Sequence, residues 1–216
     1  MTQSEPNDPL EELDRENEIL TKLVERLAEA GLSLRSDRPE TSDRISEGLR
    51  LLSQYRSLHG RRFRENLEPE ARIVAMPGCF EHLDHLDRQF TEPDPKWETV
   101  VSALDSYARG EAGAPERLAK ELDTFTQDEY DRIRYEETYP LSCLLSVFPE
   151  DAANRVNTEF DRTNAQTAHL EQLIERYLGQ SPREDGAGPS SPTPFPIVDA
   201  RGQKCTCCDP VPEDLA

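Results

Sequence analysis

Apolar residues return every third or fourth position along most of the chain, the signature of helices that each bury one stripe. Over residues 10–30 the stripe is Leu10, Leu13, Leu20, Val24 and Leu27. It predicts a helix ended by Gly31 and interrupted on its inner face by one polar residue, Asn17, between Leu13 and Leu20. "TSDRISE" supplies a capping residue for a second helix, where Ile45, Leu49, Leu52, Tyr55, His59, Phe63 and Leu67 share a face. That face aims His59 at the core, and Pro69 is expected to close the helix. Pro77 and Gly78 then interrupt, and a third helix has the inner stripe Cys79, His82 or Leu83, Leu86 and Phe90.

"TEPDP" breaks or kinks this helix, which resumes with Trp97, Val100, Val101 and Leu104 before "GEAGAP" turns the chain. A long fourth helix starts at Pro115 and buries Leu118, Leu122, Phe125 and Ile133, then Leu141, Leu144 and Leu145 beyond a kink at Pro140. Val156, Phe160, Ile174 and Leu178 mark a fifth. No segment alternates with the period of a strand. The expected fold is all-α, an up-down bundle over residues 10–179 with an additional C-terminal helix. Residues 1–9 are expected to be a disordered N-terminus. Residues 180–216, rich in Pro, Gly and Ser, are too poor in apolar side chains to fold alone and read as a flexible tail.

Charge narrows the partners. The 216 residues carry a net charge of −19, which repels nucleic acid and anionic membranes. The one short basic cluster, "GRRFR", is bracketed by glutamates. No apolar run approaches the roughly 18 residues of a membrane span, and the acidic N-terminus is the reverse of a secretory signal, so the expected compartment is the cytoplasm. Five cysteines, an odd number, argue against a disulfide framework. Cys79 and Cys143 read as buried thiols. A protein partner and the oligomeric state are left open.

The polar interruptions carry the candidate chemistry. Asn17, His59, His82 (or His85, one turn on) and Tyr130 fall on inner stripes of four helices, the arrangement a metal centre in a bundle core requires. "ENEIL", "HGRRFRENLEP", "EHLDHL" and "YDRIRYEETYP" together resemble the hemerythrin-like (HHE cation-binding) family. Its first and third helices open with a Glu-His pair, and its second and fourth carry a His, a carboxylate four residues on, and a closing proline. The resemblance implies a helical bundle around a carboxylate-bridged di-iron centre handling dioxygen, nitric oxide or iron. Carried over position by position, it implies loss of that centre. Asn17 and Tyr130 stand where histidines would be, Phe63 and Arg134 stand where the carboxylates would be, and His59 and His82 are retained.

Two readings follow. In the first, these positions form a hydrogen-bonded polar core without a cofactor, in a non-enzymatic binding, sensing or scaffold protein. In the second, iron or another metal sits on a residual site of His59, His82 or His85, and Tyr130. A third reading is a thiol-based metal carrier working through Cys205, Cys207 and Cys208 in "KCTCCD". No catalytic constellation, phosphate-cradling loop or nucleophile elbow is present, so an enzyme is not expected. His169 lies outside these motifs and reads as an ordinary surface residue.

Overall fold

The computed structural model of the chain describes residues 8–36, 39–75, 77–92, 94–145 and 148–179, and among them every regular element is helical. The tail, with Cys205, Cys207 and Cys208, and most of the N-terminal segment lie outside the described residues.

Helix α1, Pro9–Ser33, starts where Asp8 accepts a hydrogen bond from the Leu10 amide at 2.9 Å, with Pro9 in the first turn. It does not end at Gly31, which is buried inside it. A Cβ there would meet Leu122 Cβ at 3.3 Å, so the glycine serves close helix approach and does not terminate α1. Helix α2, Ser42–Arg62, is capped by Thr41, whose hydroxyl accepts from the Arg44 amide.

Pro69 does not close α2 either. A π-helical turn, Phe63–Leu67, resets the hydrogen-bond register, and the chain continues as α3, Glu68–Val74. Pro69 falls in the first turn of α3, where its missing N–H costs nothing.

Helix α4 spans Pro77–Thr91 and α5 spans Pro95–Ala108. The break between them is organised by Asp94, which accepts from the amides of Lys96 and Trp97. In α4 the inner position goes to Leu83, fully buried, while His82 is half-buried. Gly110 and Gly113 turn the chain with φ of 68° and 71°, values that favour residues without a Cβ. Helix α6, Ala114–Glu136, follows, and the kink at Pro140 takes the form of a second π turn, Glu137–Leu141. A short α7, Ser142–Leu145, comes next. The single C-terminal helix expected from the sequence is two, α8, Glu150–Asp161, and α9, Asn164–Gly179, separated by a turn in which the Thr163 hydroxyl donates to the Phe160 carbonyl.

α1 packs along α2 and α6, α6 along α5, and α5 also touches α2, so these four are neighbours in a closed ring. α9 lies on α1 and α2, and α8 on α1 and the first π turn. The pairs Gly31 with Leu122, Glu25 with Tyr130, and Asp14 or Glu18 with Glu137 show that α1 and α6 run antiparallel. No helix among the described residues is long and apolar enough to cross a membrane.

The apolar core is divided in two. One part gathers Leu20, Leu23, Leu27, Leu52, Leu58, Phe125 and Ile133. The other gathers Leu10, Leu13, Phe63, Leu67, Leu83, Leu141 and Phe160. Along α1 the division falls at Glu16 and Asn17, along α2 at His59 and Arg62, and along α6 at Arg132 and Glu136. All six are buried, at 4% exposure or less. A charged layer therefore crosses the molecule between two apolar halves.

Candidate functional site

His59 is the centre of that layer. Its Nδ1–H donates to Glu16 Oε2 on α1 and its Nε2–H to Glu136 Oε1 on α6, each at 2.8 Å. Both nitrogens can donate only if the ring is an imidazolium. Burial alone would lower the pKa of His59. The Glu136 carboxylate, and then Glu16, more than offset this and raise it to about 9. His59 is therefore held in its charged form at neutral pH.

Two arginines complete the layer. Arg62, one turn beyond His59, bonds Glu16 Oε1 through Nη1 and Glu12 Oε1 through Nη2, the latter at 2.7 Å. The same guanidinium reaches Asn164 Oδ1 at 3.2 Å and Thr167 Oγ1 at 3.4 Å, and lies 3.9 Å over the Phe160 ring. Arg132 on α6 bonds Glu129 Oε2 at 3.1 Å, and its Nη1 stands 3.9 Å from Glu136 Oε2. Glu129 also accepts from Arg56 Nη1 at 2.7 Å, and Arg56 in turn meets Asp94 at 3.2 Å. An alternating chain thus runs from Asp94 at the surface through Arg56, Glu129, Arg132, Glu136, His59, Glu16 and Arg62 to Glu12. Within it, five carboxylates (Asp94, Glu12, Glu16, Glu129 and Glu136) face four cations (Arg56, Arg62, Arg132 and a protonated His59), and the excess negative charge falls at the solvent-reached end, Asp94.

Isolated buried charges of this kind cost several kcal/mol each, so pairing decides whether the layer is tolerable. The layer is not fully satisfied: Arg62 Nε, Arg132 Nη1 and Glu136 Oε2 have no hydrogen-bond partner among the described residues. Asn17 is wholly buried, yet neither amide atom has a hydrogen-bond partner among the described residues. The antiparallel register of α1 and α6 puts it level with Glu136.

The structure does not bring His59, His82 and Tyr130 together. Tyr130 packs at the edge of the first apolar core and not at its centre. It is half-buried and turned to Glu25, and burial followed by that carboxylate raises its pKa to about 12. Inward from it lie Glu129 and Ile133. Arg134, at the corresponding carboxylate position, is exposed. Phe63 is fully buried, with its ring 5.7 Å from that of Phe90. His82 belongs to a separate aromatic group. Its Nδ1 is 2.7 Å from the Tyr135 hydroxyl and its ring stacks on Tyr139 at 4.8 Å. His85 packs on Tyr135 at 4.4 Å and accepts from Gln89 Nε2, and burial, with Arg88 and His82 nearby, lowers its pKa. Cys79 and Cys143 are buried, and His169 is exposed. Among the described residues no group of three or more His, Cys, Asp or Glu is placed to hold a metal ion.

Glu16, Arg62, Glu129, Arg132 and Glu136 are not part of any purely apolar stripe. A signal was present: Phe125, Glu129, Arg132 and Glu136 continue one face of α6 at spacings of four, three and four, as Leu13, Glu16 and Leu20 do on α1.

Chemically, the layer offers no nucleophile and no imidazole nitrogen with a free lone pair. It can hold one proton firmly and fix the axial register of α1, α2 and α6, because sliding any of them breaks several charge pairs at once. In comparisons with known proteins, no family model, no curated protein and no solved structure matches this chain.

Proposed function

We propose that this chain is a hemerythrin-like four-helix bundle in which a salt-bridged core takes the place of the di-iron centre, and that it acts as a non-enzymatic binding or sensing protein of the cytoplasm. The observation that carries this reading is the double commitment of His59. Both ring nitrogens are spent on carboxylates of opposite helices, so a metal could take His59 only by displacing a proton and a buried ion pair.

The neighbouring residues do not fit a carboxylate-bridged di-iron centre. Phe63 supplies an apolar ring at the position of one carboxylate, and Arg134 points away from the core at the other. The guanidinium of Arg62 lies against Glu16, and that of Arg132 near Glu136, where they would repel a bound cation. In this proposal the charged layer does the structural work of the lost metal, joining the helices at mid-height.

Metal analysis with an absorption spectrum, on the full chain purified without a tag, tests this. Negligible metal and no charge-transfer band are expected. Two irons per chain with an oxo-bridged spectrum would overturn the reading. Metal that leaves when the chain is cut at about residue 180 would transfer the function to Cys205, Cys207 and Cys208.

A further inference from the structure

A groove of about 530 Å³ opens beside the charged layer, between α2 and the α4–α5 turn, within the usual range for small-molecule sites. Its lining is sorted by charge. The wall formed by α2 and the π turn after it presents Arg56, Arg61 and Arg64 against a single acid, Glu65. The opposite wall presents Glu92, Asp94 and Glu98. Where the walls come within reach they pair, Arg56 with Asp94 at 3.2 Å.

The remaining charges do not pair across the groove. Arg61 bonds only the neutral Gln166, and Arg64 uses its Nε on Asp87 outside the groove. Glu92 and Glu98 make no ion pair among the described residues. The base between the walls is aromatic, with Phe90, Phe125 and Trp97, the last two edge to face at 5.8 Å. Phe90 packs closely on α2 because residue 60 is glycine, where a Cβ would stand 2.6 Å from the ring.

We propose that this groove binds a small zwitterion with an apolar body, of the size of an apolar dipeptide. Its carboxylate pairs with Arg61 and Arg64, its ammonium with Glu92 and Glu98, and its side chains cover Phe90 and Trp97. A pure anion would meet the acidic wall unpaired and a pure cation the basic one, and only a ligand bearing both completes the two walls. The inference rests on the reading of the chain as a binding protein. It names what is bound, and its test is independent of metal content.

Trp97 is the only tryptophan, so its fluorescence reports the groove directly. The full chain is titrated with leucyl-leucine, with its N-acetyl derivative (anion only) and with its C-terminal amide (cation only). A saturable change is expected with leucyl-leucine, with either single-charge analogue weaker by about tenfold or more. The Arg61→Ser/Arg64→Ser variant should weaken leucyl-leucine but not the amide, and Glu92→Gln/Glu98→Gln should weaken leucyl-leucine but not the N-acetyl form. All four residues are exposed, so both variants should fold, which circular dichroism checks. No saturable change up to about 10 mM, or equal binding of all three compounds, would overturn the proposal while leaving the metal-free reading intact.

Discussion

Replacing His59 with leucine removes the one cation shared by Glu16 and Glu136 and leaves the apolar volume similar. The expected cost is pH-dependent, and the structure sets both its size and its sign. The folded-state pKa of His59, about 9, lies above the ordinary value near 6.5. A group raised in this way contributes its full stabilisation below about pH 6.5, and the contribution is lost as the pH climbs through about 9. The interval corresponds to roughly 3 kcal/mol, consistent with the roughly 3–5 kcal/mol for breaking a buried pair by deleting one partner. Urea unfolding of wild type and His59→Leu, from about pH 6 to about pH 10, gives the difference in unfolding free energy at each pH. Groups remote from His59 cancel in that difference, and Tyr130, raised to about 12, titrates above the window. The difference should be largest near pH 6 and shrink by roughly 3 kcal/mol toward pH 10. A difference that stays flat, or a variant as stable as wild type at pH 6, would refute the shared-proton geometry.

Other substitutions probe the same layer and its surroundings. Asn17→Leu replaces a buried amide without hydrogen-bond partners and should raise the unfolding free energy by about 1 kcal/mol; destabilisation in the same urea assay would show that the amide is engaged. Gly60→Ala should destabilise by about 1–2 kcal/mol despite alanine's better helix propensity, because its Cβ would drive into Phe90, and calorimetry would register a lower Tm. Phe63→Glu restores a carboxylate at the position the family resemblance singles out, but in a fully buried apolar site. It should lower stability by several kcal/mol without conferring iron binding by metal analysis, and stoichiometric iron in this variant would count against the salt-bridged core.

The helices were legible because their apolar stripes are regular, and the inward placement of Asn17, His59 and Phe63 follows from the same spacing. The charged partners were not legible, because Glu16, Arg62, Arg132 and Glu136 look like solvent-facing residues until the helices are assembled. Each becomes tolerable in the core only through a partner on another helix, and no single stripe contains that information. Tyr130 shows a register problem. Phe125 and Ile133 are compatible with an inner face that includes either Glu129 or Tyr130, and ion pairing with Arg56 and Arg132 selects Glu129. Gly31 and Pro69 are, by local sequence alone, helix-ending residues. Tertiary contact with Leu122 and the π turn before α3 give them other roles, and both depend on atoms distant in the sequence or on a hydrogen-bond register that composition does not encode.

The protonation state of His59 tests the central claim most directly. Nitrogen NMR of the histidine-labelled chain at neutral pH should show both ring nitrogens of His59 bearing slowly exchanging protons, with a single titration near pH 9. A nitrogen without its proton at neutral pH, or a signal broadened by bound iron, would contradict a metal-replacing salt bridge between Glu16 and Glu136.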